Sequence, residues 1–542
     1  MTQETDTVKY TWRDLPKLIL ILGAITVICM LFPSHGHIEY SYEVNGTWNY
    51  ESLIAEKDFT FSPTTAPADS LTTIPQYQFK KRDVVVQEGQ KINGRQFEII
   101  EYYINQIQPA KSFWVKSGFI YFLGYFLLTT LIIGALILFS LKYFPDNTRS
   151  LSGIGFLVLW PVVFSIIVYL VTRNEFLSPF LIPFCITPIV VYNFFGGRLA
   201  LFIHIVVVLI SSFISGLGYE FTFLQILAGI VTVLTITETR YWNKFFVAIL
   251  VILLTYVIGY LGLALINSGT LVEAEQHTFG WLVLNALLLL LAYPFIPIIE
   301  KIFGYTSSIT IAELGDMNKP LLRDLSLKAP GTLQHSLQVA NLCEAAAKAI
   351  GANSLLVKTA ALYHDVGKMN NPFYFIENSN GRNAHDELNN FESAGVIIGH
   401  VIEGEAMAKK ARLPKIITDF ITTHHGTTRV EYFYRQQMND EPDREFDETL
   451  FRYPGPKPQT KEQAIMMMAD SIEAASKSLK NPTGQDIDAL IDKIVNYKID
   501  EGQLQEADIS FRELQVCIDT FRSVLRSIYH VRIEYPDAKS EE

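Results

Sequence analysis

Residues 361–370 read ALYHDVGKMN, an apolar run that closes on a histidine and an aspartate side by side, His364 and Asp365. Val357, Ala360, Ala361 and His364 fall at i, i+3, i+4 and i+7, so the spacing predicts a helix over about 353–368 whose buried stripe carries an imidazole into the core. A carboxylate at the edge of such a stripe is costly unless an opposite charge meets it. The question is what that charge is.

The pattern recurs along the C-terminal half. Thr332 is expected to cap a helix running to Ile350, stopped by Gly351, with His335 one turn before Val339 on its apolar face. His400 lies in an expected helix of about 388–411. Pro414 should open a helix whose Ile417, Phe420 and Ile421 lead into His424-His425 and stop at Gly426. Thr460 and Gln463 form a capping box for a helix that holds AIMMMA (464–469) and then Asp470. Taken singly, each histidine reads as a hydrogen-bonded core residue and Asp470 as a cap or an ion-pair partner. Seven such groups in one domain ask for a common cause, and a pair of divalent cations supplies one, since imidazole and carboxylate are ligands for such ions. Adjacent helical residues are turned about 100° apart, so His364 can serve one ion while Asp365 bridges to the second.

The remainder of the chain is of a different kind. Of 542 residues, 49% are hydrophobic and 18% charged, too apolar for an ordinary soluble enzyme. Residues 18–32, behind Lys9, Arg13 and Lys17, read as an uncleaved anchor, because FPSHGH (32–37) offers no small-x-small cleavage site. Seven further spans are expected at 117–141, 151–172, 176–195, 199–217, 220–238, 244–266 and 278–300. Eight crossings return the C-terminal domain to the side of the N-terminus. Lys142, Arg149, Arg198, Arg240 and Lys244 then fall on the inner side, and the outer loop 267–277 carries Glu273 and Glu275.

The fold class expected is therefore all-α in the main: a polytopic helical membrane domain and a helical C-terminal domain, with a small β-containing outer domain suggested by VVVQEG (84–89). The domains are 1–33 (tail and anchor), 34–115 (short outer domain), 116–300 (spans), 301–328 (connector) and 329–542 (histidine-bearing domain). Asn45-Gly46-Thr47 is a sequon without consequence in a bacterial-looking chain. Cys29, Cys185, Cys343 and Cys517 have neither metal nor redox spacing. A net charge of −11 and the absence of a basic stripe exclude duplex nucleic acid as a partner.

The order H…HD…H…HH…D, realised as His335, His364-Asp365, His400, His424-His425 and Asp470, resembles the HD-domain phosphohydrolases. More narrowly the chain resembles the seven-transmembrane HD receptor family of cyclic di-AMP phosphodiesterases. That similarity rests on APGTLQHSLQVANLCEAAAKAIGAN (329–353), YHDVGKMNNPFYFIEN (363–378), HHGT (424–427), FRYPGPKPQTKEQAI (451–465) and ADSIEAA (469–475). The resemblance implies that His335, His364, Asp365 and Asp470 hold one ion, and Asp365, His400, His424 and His425 the other, iron or manganese being the usual pair. Asp365 is then catalytic as the shared ligand, and Lys368 sits near the scissile phosphate.

The implied reaction is hydrolysis of cyclic di-AMP to linear pApA in the bacterial inner membrane. Cyclic di-GMP relatives carry a GYP signature where this chain has HHGTT (424–428) and FRYPGP. Tyr432 and Tyr434 are candidates for stacking on bases, with core packing as their alternative. Other readings are cyclic di-GMP, another nucleotide phosphate ester, or a non-catalytic nucleotide-binding receptor. Expected partners are the bilayer, an unidentified outer ligand and, as one assembly, a homodimer. The outer domain, between Pro33 and Lys116, is much shorter than the family's usual one. His385-Asp386 is a second such dipeptide, expected to be a cap region, and Met466–Met468 to be core filler.

Overall fold

The structure, a computed structural model, describes residues 14–32, 44–48, 50, 52–55, 58–62, 76–104, 117–174, 176–236, 242–268, 276–379, 383–442, 445–479 and 482–529. Lys9, Arg13, the FPSHGH residues after Phe32, Arg240, Glu273 and Glu275 lie outside them. The chain divides into two compact units, one of residues 1–237 and 246–293 and the other of 238–245 and 294–542.

Among the described residues six helices are long and apolar enough to cross a membrane: Tyr121–Tyr143, Leu151–Thr172, Gly197–Ser215, Gly218–Thr235, Asn243–Ile266 and Gln276–Phe303, all mainly in the first unit, the fifth starting and the last ending in the second. The protein is a multi-pass membrane protein. Two of the expected spans are shorter. The anchor is a 16-residue helix, Leu15–Met30, and residues 176–195 break into a 3-10 turn, Pro179–Leu181, and a ten-residue helix, Ile186–Phe195. Prolines at 179 and 183 explain the break, since each lacks an N–H and constrains the residue before it.

The β-containing segment pairs Leu53–Ile54 with Val84–Val86, and Phe59–Phe61 with Tyr77–Phe79, both antiparallel. Trp48, Phe59, Phe61, Ile99, Ile100 and Tyr103 are buried together beside these strands.

The second unit is helical. Its core takes Val339, Leu342 and Ala346 from the helix Pro330–Ile350, Val357, Ala360 and Ala361 from Ser354–Tyr363, Ile417, Phe420 and Ile421 from Lys415–Thr423, and Met466, Met468, Ala469 and Ile472 from Lys461–Ser476. Each fully buried large apolar side chain contributes roughly 1.5–3 kcal/mol, and these same stripes carry the histidines inward. The expected capping box of Thr460 and Gln463 is present. Met466, Met467 and Met468 are all fully buried.

Three local expectations change. The helix bearing His335 starts at Pro330, not after Thr332, because proline suits the first helical position and Asn378 Oδ1 accepts from the N–H groups of Gly331 and Thr332 at 2.9 and 3.2 Å. The helix expected over 353–368 ends at Tyr363, and His364-Asp365 occupies the junction with a 3-10 turn, Val366–Met369. The helix bearing His400 is capped by Asn389, with Glu392 completing the box, and not by Asp386.

The connector also folds within this unit. Glu300 accepts from Ser307 N and Thr310 Oγ1 at 2.6 and 3.0 Å. The Tyr363 hydroxyl donates to the Leu314 carbonyl at 2.7 Å and Thr359 Oγ1 to that of Ile311 at 3.2 Å. The connector is thereby tied to the helix Ser354–Tyr363, which leads into His364-Asp365.

Candidate metal centre

The break after Tyr363 frees both residues of the dipeptide to face inward. Asp365 adopts φ −108°, ψ 16°, the sparsely populated bridge region in which many active-site residues sit. Two residues on, a Cβ on Gly367 would lie 1.9 Å from the His400 carbonyl oxygen and 2.6 Å from Gly404 N, so only glycine lets the His400 helix come this close. That approach puts His400 Nε2 3.2 Å from Asp365 Oδ1.

All seven predicted ligands converge. The donor atoms of His335, His364, Asp365 and Asp470 lie within 4.8 Å of one another, as do those of His400, His424 and His425. Asp365 joins the sets: Oδ2 is 3.3 Å from His364 Nε2 and 3.5 Å from His335 Nε2, while Oδ1 is 3.2 and 3.6 Å from the Nε2 atoms of His400 and His424. Asp470 Oδ1 lies 3.0 Å from His335 Nε2, and its Oδ2 3.8 Å from His425 Nδ1. Except for His425, these groups are all almost fully buried.

Hydrogen bonding fixes which atoms face the centre. Nδ1 of His364, His400 and His424 donates to the carbonyl three residues back, at Ala361, Ile397 and Ile421. A carbonyl can only accept, so each neutral ring keeps its lone pair on Nε2. The Nε2 atoms of His400 and His424 are then two acceptors 3.2 Å apart, with Asp365 Oδ1, which has no hydrogen-bond partner, as a third. His364 Nε2 is likewise without a hydrogen bond. One proton can serve two of three converging acceptors but not all three; a cation serves them together. The donor set, all nitrogen and oxygen, fits a divalent metal.

The two sets differ in their titration. Burial lowers the imidazole pKa, yet Asp470 and Glu473 raise that of His335 on balance, and Asp365 and Asp470 push His364 up to about 10. Burial dominates for His424 and for His425, where the neighbouring His424 adds to it, and holds both down. Burial opposes ionisation of Asp365 and Asp470. Lys368 and His364 overcome it for the first, His335 and His364 for the second, keeping both carboxyls well below the usual range.

Lys368 is partly buried, with its Nζ 2.7 Å from Asp365 Oδ2 and 3.0 Å from Glu377 Oε1, over the ring of Phe375. Tyr432 is 71% exposed. Tyr434 packs against Phe446 and Phe451, with the Arg429 guanidinium over its ring. His385 stands apart from both ligand sets; its Nε2 donates to the Tyr374 carbonyl at 2.9 Å, and Asp386 accepts from Asn383.

Three residues went unnoticed in the sequence. Glu473 Oε2 accepts from His335 Nδ1, Glu377 pairs with Lys368, and Tyr453 lays its ring 4.3 Å from that of His425. Glu473 had a signal, standing one helical turn after Asp470. The other two come from irregular segments with no periodicity to read.

A fold of this kind, with histidine and aspartate pairs gathered from four helices and a turn, is that of an HD domain, and the HD-domain family model matches residues 332–475. The model described as 7TM receptor with intracellular HD hydrolase matches residues 119–307. The chain is 34% identical over 469 residues to the cyclic-di-AMP phosphodiesterase PgpH of Listeria monocytogenes, covering 84% of this chain and 64% of that protein. It is 32% identical over 497 residues to PgpH of Bacillus subtilis, covering 89% of this chain and 69% of that one. The chain therefore belongs to the family of PgpH, the 7TM receptors with an intracellular HD hydrolase domain. It spans about two thirds of the length of these relatives. Among solved structures, the L. monocytogenes PgpH HD domain in complex with cyclic-di-AMP matches at 45% identity and TM-score 0.38, covering 40% of this chain and all of that one.

Proposed function

We propose that this protein is a membrane-anchored phosphodiesterase that uses two divalent metal ions, iron or manganese, to open cyclic di-AMP to linear 5′-pApA. One observation carries the chemistry: the Nε2 atoms of His400 and His424 and the unpartnered Oδ1 of Asp365 meet inside a buried centre as three acceptors without a proton donor. The base identity draws its support from the relatives that bear the name cyclic-di-AMP phosphodiesterase.

In this reading His335, His364, Asp365 and Asp470 hold one ion and Asp365, His400, His424 and His425 the other. Such a pair supplies a nucleophile from water near neutral pH and a clamp for the phosphodiester. The chain's own groups do the rest. Asp365 ties the two halves together. Lys368 spends two of its three N–H donors on Asp365 and Glu377, and the third is available to a phosphate oxygen. Tyr432 offers an exposed ring to a purine, while Tyr434, already packed, holds that helix in place. The N-terminus and HD domain lie on the cytoplasmic side of the inner membrane and residues 34–115 outside, in keeping with Lys142, Arg149, Arg198 and Lys244 between spans.

Full-length protein in detergent, loaded with manganese and offered cyclic di-AMP, cyclic di-GMP and dATP, tests this. Release of pApA from the first, well above turnover of the others, is expected. Preference for another substrate replaces the nucleotide; binding without turnover makes the protein a receptor.

A further inference from the structure

The four histidines that present Nε2 to the centre are not held alike. His364, His400 and His424 each rest Nδ1 on a carbonyl of their own chain segment, three residues back. His335 instead reaches across to another helix, where its Nδ1 donates to Glu473 Oε2. Glu473 is 2% exposed, and its other oxygen lies 2.9 Å from Lys477 Nζ at the end of the same helix. The helix Lys461–Ser476 thus supplies one predicted ligand, Asp470, and one turn later the group that orients a second.

We propose that Glu473 is the positioning residue of the His335 half of the centre: it selects the tautomer that turns the His335 Nε2 lone pair on the metal, and without it that half holds its ion more weakly while the His400 half binds its own as before. This rests on the two-ion reading above. The physical reason is the missing backbone lock. With Glu473 removed, Nδ1 has no acceptor, the two tautomers become comparable, and the ring is free to turn. A carboxylate on the far nitrogen also makes Nε2 a stronger donor to a cation, and outer partners of this kind are typically worth about 10–100-fold in metal affinity. The other three rings depend on backbone that no side-chain substitution removes.

Full-length protein stripped of metal and titrated with manganese measures this. Wild type should load two ions. Glu473→Leu should load one at wild-type affinity, with the second weakened about 10–100-fold. Glu473→Gln keeps an acceptor and loses the charge, so a several-fold weakening is expected. Lys477→Met, which leaves the Glu473–His335 contact intact, should load both ions as wild type does. A folded Glu473→Leu protein that binds two ions with unchanged affinities, or loses both together, overturns the proposal. If that variant does not fold, Glu473→Gln decides, and wild-type affinity there overturns it. Wild type that loads one ion overturns the two-ion reading instead, and Glu473 is then judged on whether Glu473→Gln weakens that ion. Wild type that loads none overturns both.

Discussion

Each compact unit buries a histidine completely, His204 in one and His424 in the other, and their surroundings are opposite. His204, on the helix Gly197–Ser215, has Nε2 2.9 Å from the Gln225 carbonyl, a donor against an acceptor, and nearby Tyr256 donates to Gln225 Oε1 at 2.6 Å. The ring fills space that Gly229 leaves, since a Cβ there would lie 2.1 Å from it. His424 gives its Nδ1 to the Ile421 carbonyl, but its Nε2 faces His400 Nε2 and Asp365 Oδ1, acceptors against an acceptor. Burial alone does not mark a site. Like groups converging without a donor do, because only an added cation relieves them.

Variants and conditions that change one member of this pair sharpen the contrast. The largest effect is expected from Asp365→Ala, which removes the carboxylate that comes within 3.6 Å of two histidines in each ligand set. Phosphodiesterase turnover should fall by at least about a thousandfold, with loss of metal from both halves. Metal analysis showing two ions in that variant would break the assignment.

Gly367→Ala comes next. Its methyl group would press on the His400 carbonyl and part the two backbones. Thermal unfolding should show a loss of about 1–3 kcal/mol, and metal content should drop at the His400 half.

Proton release separates the two halves more finely. The raised pKa values of His335 and His364 mean that protons are held more tightly there as pH falls, and an incoming ion must displace them; burial pushes His424 and His425 down, so those rings give up their protons more readily. Between about pH 8 and pH 6, affinity at the His335 half should weaken by up to roughly tenfold per unit for each proton displaced. Calorimetry in buffers of differing ionisation enthalpy reads that release directly, and equal pH dependence at the two halves would falsify the distinction.

The smallest effects belong to histidines outside the centre. His385→Ala forfeits a hydrogen bond to Tyr374, worth about 0.5–1.5 kcal/mol, and should leave metal stoichiometry unchanged. His204→Leu should do the same, with stability lowered by about 1 kcal/mol. Loss of an ion in either would show that the centre extends further than the seven proposed ligands.

Much of this was legible before any coordinates. The apolar runs announced the spans, and periodic stripes ending in His335, His364, His400 and His424 announced inward-facing imidazoles, because a helix must bury its apolar face and carries whatever shares it. The exact start of the His335 helix was not legible, since its cap is supplied in space by Asn378, 46 residues from Thr332 in sequence. Nor was the break after Tyr363, where the chain leaves the helix for the 3-10 turn Val366–Met369, or the close approach to the His400 helix that Gly367 permits. The His385-Asp386 dipeptide has the same letters as His364-Asp365 and a different fate, because Asn383 and the Tyr374 carbonyl satisfy it locally.

What the amino-acid order determined by itself was the inventory: a chain with membrane-spanning helices, a helical domain, and seven candidate metal-ligand side chains on or beside apolar helical stripes. What only the tertiary structure decided was their pairing. Which oxygen of Asp365 meets which imidazole, and that Glu473 orients His335, depend on distances between helices far apart in sequence. Those distances are set by packing of the shared core and not by the period of any one segment.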